Sequence, residues 1–460
     1  MSASNNLIES TDLALFTDFY QLTMVQAYWE EGLQDKAVFD LFVRRLPEGR
    51  HYLLAAGLED ALEFLQNVRF DEDAIRYLDS LGTFSSRFLR ALRDFRFQGD
   101  VYAVAEGTPV FADEPIVEVE APIAQAQLVE TFLMNQIHFQ TLMASKAARV
   151  VEAARGRTLV DFGTRRMHGT DAALKAARAF HIAGVDATSN VAAGRRLDIP
   201  VSGTMAHSYI QAHDDEYSAF KAFCGVHPET ILLVDTYDTL QGVRHVVRLA
   251  GELGEDFKVR GIRLDSGDLA ELARQSRAIL DRAGLQQVEI FASSSLDEQS
   301  IKELLDSGAP IDGFGVGTRM GVSADAPYLD IAYKLVGYAG KGRIKLSTSK
   351  KHLPSRKQVY RLEKGGKASY DVLALQEESS PGRPLLQPVM KSGRRLDSAS
   401  PTLRDCRLRA RGEIERLPAR LRSLDALAEP YEVRVSDALK EARDALQQEL
   451  EQKQHRHLPT

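Results

Sequence analysis

Between Arg157 and about Leu335 the chain repeats one pattern, a short apolar or β-prone run followed by small, polar or charged residues. The runs are Thr158–Val160, Val185–Thr188, Ile199–Val201, Ile231–Val234, Val259–Ile262, Val288–Phe291 and Ile311–Phe314. Most start roughly 25–30 residues apart, about one βα unit each. The connecting stretches, such as Leu269–Ala283 and Ser300–Ser307, have helical composition. Short continuous apolar runs alternating with helices predict an α/β fold with a parallel sheet, and closure into a TIM-like barrel is the economical expectation. The step from Thr188 to Ile199 leaves no room for a full helix, so an irregular barrel is expected.

A barrel over 126–340 leaves much of the 460-residue chain outside it, so more than one domain is expected. Residues 1–125 mix helix and strand signals: an amphipathic helix over Leu15–Tyr28, a half-alternating run Ala37–Val43, and short strands between Val101 and Glu120. Pro122 then precedes a long helical stretch from Ala124 to about Ala154 that leads into the barrel. Residues 341–460 carry strand-like pieces at Arg343–Leu346 and Lys357–Leu362, then an Arg-, Pro- and Ser-rich stretch. They end in a charged helix around Val435–Lys453, with Ala438, Ala442 and Leu446 on one face, and a tail Gln454–Thr460 expected to fray.

With 58 Lys+Arg against 65 Asp+Glu the net charge is −7, which argues against nucleic-acid binding through overall charge. Two cysteines, Cys224 and Cys406, exclude a disulfide framework or a zinc knuckle, and Cys224 reads as a small buried residue. No stretch of 18 or more apolar residues predicts a membrane span, and the first residues lack a basic patch followed by an apolar run. A cytoplasmic protein with no membrane partner is expected.

Functional groups of a βα barrel sit where strands end. Here those positions read Asp161-Phe162-Gly163-Thr164-Arg165-Arg166, Ser189-Asn190, Ser202-Gly203-Thr204-Met205-Ala206-His207, Asp235-Thr236-Tyr237-Asp238, Arg263-Leu264-Asp265-Ser266-Gly267-Asp268, Ser293-Ser294-Ser295 and Gly315-Val316-Gly317-Thr318-Arg319. Each residue alone reads as readily as a turn or a helix cap; their recurrence at every strand end is the stronger signal. Gly315, Gly317 and Thr318 close the last strands, where phosphate sites of this architecture are built from backbone N–H groups. The Asp265-Ser266-Gly267 turn offers a hydroxyl and N–H groups for phosphate, or a carboxylate for ribose hydroxyls. Arg165, Arg166 and Arg263 place permanent charge at the barrel mouth, which needs either an anionic ligand or an internal salt bridge to Asp161, Asp235 or Asp265. His207 reads as a general base, a phosphoryl acceptor or a structural histidine. The run His213-Asp214-Asp215-Glu216 resembles a metal cluster but reads better as a solvated helix start.

These motifs, in this order, resemble the nicotinate phosphoribosyltransferase family. The resemblance begins at Thr17-Asp18-Phe19-Tyr20-Gln21-Leu22-Thr23-Met24, continues through Phe39–Pro47, Gln127-Leu128-Val129-Glu130-Thr131 and the barrel series, and reaches Lys357-Gln358-Val359-Tyr360-Arg361. It implies an irregular α/β barrel beside an α/β domain assembled from N- and C-terminal segments. It also implies transfer of phosphoribose from 5-phosphoribosyl 1-diphosphate to nicotinate, coupled to ATP hydrolysis. By the motif Ser-Gly-Thr-Met-Ala-His-Ser, His207 looks like the histidine that ATP phosphorylates. Tyr20, Phe162, Thr204 and Arg263 fall at positions for nicotinate; Arg165, Asp235, Asp265, Ser266, Gly267, Gly317 and Thr318 fall at positions for the phosphoribosyl diphosphate. Tyr20 in such enzymes stacks on the pyridine from the neighbouring subunit, which implies a homodimer with shared active sites.

The expected chemistry needs an in-line nucleophile and stabilisation of separating charge. Mg2+ would be carried by the diphosphate and ATP, so no all-protein metal cage is expected. Arg263 and Thr204 favour nicotinate over nicotinamide, the nearest rival substrate, because a carboxylate calls for positive charge and donors. Two stretches depart from the family pattern: serines at 293–295 where glycine or an acidic residue is expected, and Ser355 where a glycine should follow Pro354.

Overall fold

A computed structural model of the chain describes residues 10–346, 352–427 and 429–456. Two units divide it, one from 1–142, 328–421 and 427–460, the other from 143–327 and 422–426.

The second unit holds the repeating pattern. Its strands are β1 (Thr158–Asp161), β2 (Ala187–Thr188), β3 (Ile231–Leu233), β4 (Gly261–Leu264), β5 (Glu289–Ala292) and β6 (Gly313–Val316). All pair in parallel, in the order β2-β1-β6-β5-β4-β3. Leu159, Val160, Leu232, Leu233, Ile262, Ile290 and Phe314 are buried along them, which is why the runs are apolar throughout. The run at 199–201 contributes only a parallel bridge from Val201 to Thr188, and between it and β2 there is room for no more than the helix Val191–Leu197. Among the described residues no pairing joins Val201 to β3, so the sheet is an irregular half-barrel by its hydrogen bonds. Asn190, Asp238, Asp268 and Asp297 each cap the helix that follows, accepting from the N–H of Ala193, Gln241, Glu271 and Ser300. For these strand-end residues the cap reading holds.

The first unit joins N- and C-terminal segments in two sheets. One is antiparallel, in the order 341–342, 331–338, 36–43, 115–122, 100–104, 386–391, 394–395; the other runs 383–384, 357–364, 367–375, 433–435. Arg361 of the second sheet is buried against Asp371: its Nε donates at 3.0 Å and its Nη2 at 2.6 Å, and Nη2 also donates to the Pro109 carbonyl at 2.9 Å. Phe111 and Tyr431 stack 3.8 Å apart beside it, and the Tyr431 hydroxyl donates to the same carboxylate.

Several elements differ from expectation. The first α-helix is Phe19–Glu30, preceded by a 3-10 turn Ser10–Leu15, because Asp18 takes the extended N-cap conformation. The long stretch from Ala124 is two helices, Ile123–Leu128 and Glu130–Ala154, interrupted at Val129. Strand pairing ends at Gly342 and excludes Arg343–Leu346. The last helix is Asp437–Arg456, and Leu439 is its buried residue, with Ala438, Ala442 and Leu446 only part-covered. Gln454–Arg456 of the tail stay helical; residues 457–460 lie outside the described ones. Both cysteines are buried, and neither forms a disulfide among the described residues. Among the described residues no helix is long and apolar enough to cross a membrane.

Candidate active site

At the end of β1, Asp161 is buried, and its carboxylate accepts from the Gly163 N–H at 2.7 Å and the Thr188 hydroxyl at 2.8 Å. Burial raises its pKa against those two bonds. The carboxylate thereby ties the loop after β1 to the end of β2. Phe162 follows, and its ring lies where a Cβ on Gly315 would stand, only 2.4 Å from the ring carbons. Gly315 is therefore a seat for Phe162, which packs at 6.4 Å from Phe291. Arg165 and Arg166 are exposed and form no ion pair among the described residues.

Arg263, on β4, is half-buried. Its Nη1 donates to the Thr204 hydroxyl at 2.7 Å and its Nη2 to the Met205 carbonyl at 3.1 Å, while Nε is buried with no partner among the described residues. The guanidinium stands 5.9 Å from the Phe162 ring centre. Burial lowers its pKa, and the pull of Asp265 and Asp235 does not restore it. The internal salt bridge weighed for this arginine does not form: Asp161 is committed as above, and Asp235 and Asp265 have other partners.

One oxygen of Asp235 accepts from the Asp265 N–H at 2.9 Å and from the Ser266 hydroxyl at 2.6 Å; the other is buried without a partner among the described residues. Asp265 accepts from the Ser293 hydroxyl, and its second oxygen stands 3.7 Å from His207 Nε2. The other imidazole nitrogen, Nδ1, lies 3.1 Å from the Thr236 hydroxyl. His207 is thus bracketed by two strand ends, not packed in the core. Gly267 turns the chain after Ser266 with φ +80°, a conformation that favours glycine.

Ser294 and Ser295 adopt left-handed backbone, φ 93° and 46°, at the end of β5. Each costs roughly 1–2 kcal/mol for a residue with a Cβ, and such strain persists only where surrounding structure fixes it. The same holds for Ser355, φ 66°, at the other departure from the family pattern. Gly317 caps the short helix Thr318–Gly321 after β6, and Arg319 is paired with Asp297, so it is not a free cation of the mouth.

Tyr20 lies in the first unit, half-exposed near the start of the helix Phe19–Glu30. Among site-building residues, sequence reasoning named but did not single out Thr236, Ser293 and Asp161; their signal was adjacency to Asp235, Ser294 and Phe162. Glu216 gave no signal. It was read with a solvated helix start, and Asp215 is indeed the exposed N-cap of Glu216–Val226. Glu216 itself is buried, with one oxygen 3.2 Å from His245 Nδ1 and the other without a partner. Burial, with Asp235 and Asp238 nearby, pushes its pKa up to about 7. Among the described residues no group of three or more His, Cys, Asp or Glu side chains is arranged to hold a metal.

Arg165, Arg166 and Arg263 stand at the strand ends of a parallel sheet without carboxylate partners among the described residues, in a protein of the α/β class. Residues 15–138 match the nicotinate phosphoribosyltransferase (NAPRTase) N-terminal domain, and residues 157–354 match the nicotinate phosphoribosyltransferase (NAPRTase) family. Nicotinate phosphoribosyltransferase pncB2 of Mycobacterium tuberculosis is 57% identical over 426 residues, covering 93% of this chain and 92% of the relative. Nicotinate phosphoribosyltransferase of Bacillus subtilis is 45% identical over 377 residues, covering 80% and 77%. The crystal structure of human nicotinic acid phosphoribosyltransferase matches with a TM-score of 0.83 at 29% identity, over 94% of this chain and 99% of that one. The chain belongs to the nicotinate phosphoribosyltransferase family.

Proposed function

We propose that this chain joins nicotinate to 5-phosphoribosyl 1-diphosphate, giving nicotinate mononucleotide and diphosphate, with hydrolysis of ATP to ADP and phosphate coupled through a phosphorylated His207. One observation carries the choice of substrate: Arg263 is a half-buried cation beside the Phe162 ring, held by a hydroxyl and a carbonyl and left without a carboxylate. A pyridine carboxylate supplies the missing negative charge, and the aromatic ring supplies a face for the pyridine.

The remaining roles follow from position. Asp235 holds the Asp265-Ser266 turn, and both Asp235 and Asp265 offer acceptors for ribose hydroxyls; the Asp235 oxygen with no partner among the described residues is one such acceptor. Arg165, Gly317 and Thr318 stand at strand ends suited to phosphate oxygens. Mg2+, bound through the diphosphate, would offset charge on the leaving group, with Asp235 available to its water shell. Thr236 bonds the His207 imidazole at Nδ1, and the Asp265 carboxylate faces Nε2 from the other side at 3.7 Å. Phosphorylation there adds about 1.5–2 negative charges beside the diphosphate site, which changes substrate affinity and drives the transfer. A homodimer in which the partner subunit supplies Tyr20 to the pyridine completes the reading.

The test is product formation from labelled nicotinate or nicotinamide with 5-phosphoribosyl 1-diphosphate and Mg2+, with and without ATP. Nicotinate is expected to be the faster substrate, and ATP to stimulate it. His207→Ala is expected to abolish the stimulation and leave an ATP-independent rate. Faster turnover of the amide would overturn the substrate, and unchanged ATP stimulation in His207→Ala would overturn the phosphohistidine.

A further inference from the structure

Two motifs of the first unit, Thr17–Gln21 and Gln127–Thr131, lie more than a hundred residues apart, and the function above uses only Tyr20 from them. In the structure they form one assembly. Thr131 Oγ1 donates to the Asp18 carboxylate at 2.8 Å and accepts from the Asp18 N–H at 3.1 Å. Asp18 thus stands at the N-cap without capping its helix, since its side chain is spent on Thr131. Above this pair, four side chains close a circuit. The Tyr20 hydroxyl donates to Glu130 at 3.4 Å; Gln127 donates to the other Glu130 oxygen at 2.8 Å and to Gln21 at 2.5 Å; Gln21 donates back to the Tyr20 hydroxyl at 2.7 Å. Gln21 and Gln127 are buried, whereas the Tyr20 side chain is 49% exposed. Buried amides and a carboxylate therefore grip the phenol tip of a ring whose face is open. The interruption at Val129 separates the helices that carry Gln127 and Glu130, whose side chains converge on this one circuit.

We infer that Glu130 and Gln127 are positioning residues for nicotinate: they hold Tyr20 by its hydroxyl so that its exposed face is presented to the pyridine at a set angle. This rests on the reading of Tyr20 as a pyridine contact. A freely turning tyrosine would have to be ordered when substrate binds; a gripped one is already ordered. The Tyr20–Glu130 bond needs the phenol proton, and an ionised Glu130 offers acceptors to both Tyr20 and Gln127. Burial, reinforced by Glu130 and Asp18, keeps the phenol protonated by pushing its pKa up to about 12.

Steady-state kinetics on the full chain with nicotinate and 5-phosphoribosyl 1-diphosphate test it. Glu130→Gln preserves shape and removes the charge to which Tyr20 and Gln127 donate. The nicotinate KM is expected to rise roughly five- to tenfold, with kcat and the KM of the other substrate within about twofold. Gln127→Leu, which leaves Glu130 in place, is expected to do the same and keeps the test alive if the first variant folds poorly. Tyr20→Ala is the reference: an unchanged nicotinate KM there would overturn the Tyr20 reading and this inference with it. If Tyr20→Ala raises that KM and neither other variant does, or if both substrates' KM values rise together, the positioning role alone is overturned. A readout independent of activity is the titration of Tyr20 by carbon-13 tyrosine NMR. It should fall only part of the way from about 12 in Glu130→Gln, because burial, the larger cause, remains while the pull of Glu130 is lost; an unmoved titration would overturn the Tyr20–Glu130 link of the circuit.

Discussion

Two arginines at β-strand positions, one in each unit, have opposite surroundings. Arg361 is fully buried, doubly bonded to Asp371 and flanked by stacked Phe111 and Tyr431. Burial works against its charge, but Asp371, Glu114 and Tyr431 outweigh that and raise its pKa. Arg263 is half-buried, bonded only to a hydroxyl and a carbonyl, and its pKa is lowered. A cation whose charge is answered inside the protein is bound into the fold; one whose charge is left open is available to a ligand.

Removing each charge separates the two roles. Arg361→Met leaves Asp371 buried and unanswered, at a cost of about 3–5 kcal/mol, and a drop of roughly 10 °C in apparent melting temperature is expected. Pairing it with Asp371→Leu should recover much of that loss, because the orphaned carboxylate goes too; equal melting of single and double variants would show that the pair, not the orphan, matters. Arg263→Ala should show the converse. Its melting temperature should move by only about 2–3 °C, while kcat/KM for nicotinate falls about a hundredfold or more. A variant that melts early yet keeps its nicotinate kinetics would make Arg263 a structural arginine like Arg361.

The smallest effect concerns a buried charge that neither arginine answers. Glu216 ionises near 4.5 in the unfolded chain but holds its proton up to about 7 when folded. Between those values the folded state binds more protons, so stability falls as pH rises, and the full cost is present above pH 7. Glu216→Gln should therefore raise the apparent melting temperature at pH 8 by roughly 1–3 °C and leave it unchanged near pH 4.5. Equal shifts at both pH values would show that Glu216 is ionised and paired in the folded protein.

The two serine departures show how far a sequence can be read. Serines stand at 293–295 where glycine or an acidic residue was expected, and Ser355 where glycine was; Ser294, Ser295 and Ser355 all take positive φ. The departures were legible in the sequence, but the left-handed turns were not, since what holds a strained turn in place lies outside its own stretch of residues. The strand-end motifs were legible because their chemistry is local: Asp238 and Asp268 cap the next helix from within their own motif. The partner of Arg319, Asp297, comes from the end of a different strand, so the motif that holds Arg319 does not reveal it. Glu216 was missed for a similar reason, since the group its carboxylate meets, His245, lies 29 residues away.

Local order along the chain, apolar runs at βα spacing with polar residues after each, was enough for a parallel α/β sheet, its strand-end chemistry and its irregular third step. Folding added what adjacency in sequence cannot specify. The sheet order β2-β1-β6-β5-β4-β3 lays β6 beside β1, so that Gly315 seats Phe162. Neighbouring β5 and β4 place Ser293 on Asp265, and with it the carboxylate that faces His207. Packing and hydrogen bonding between distant segments set those pairings, and no run of residues encodes its partner.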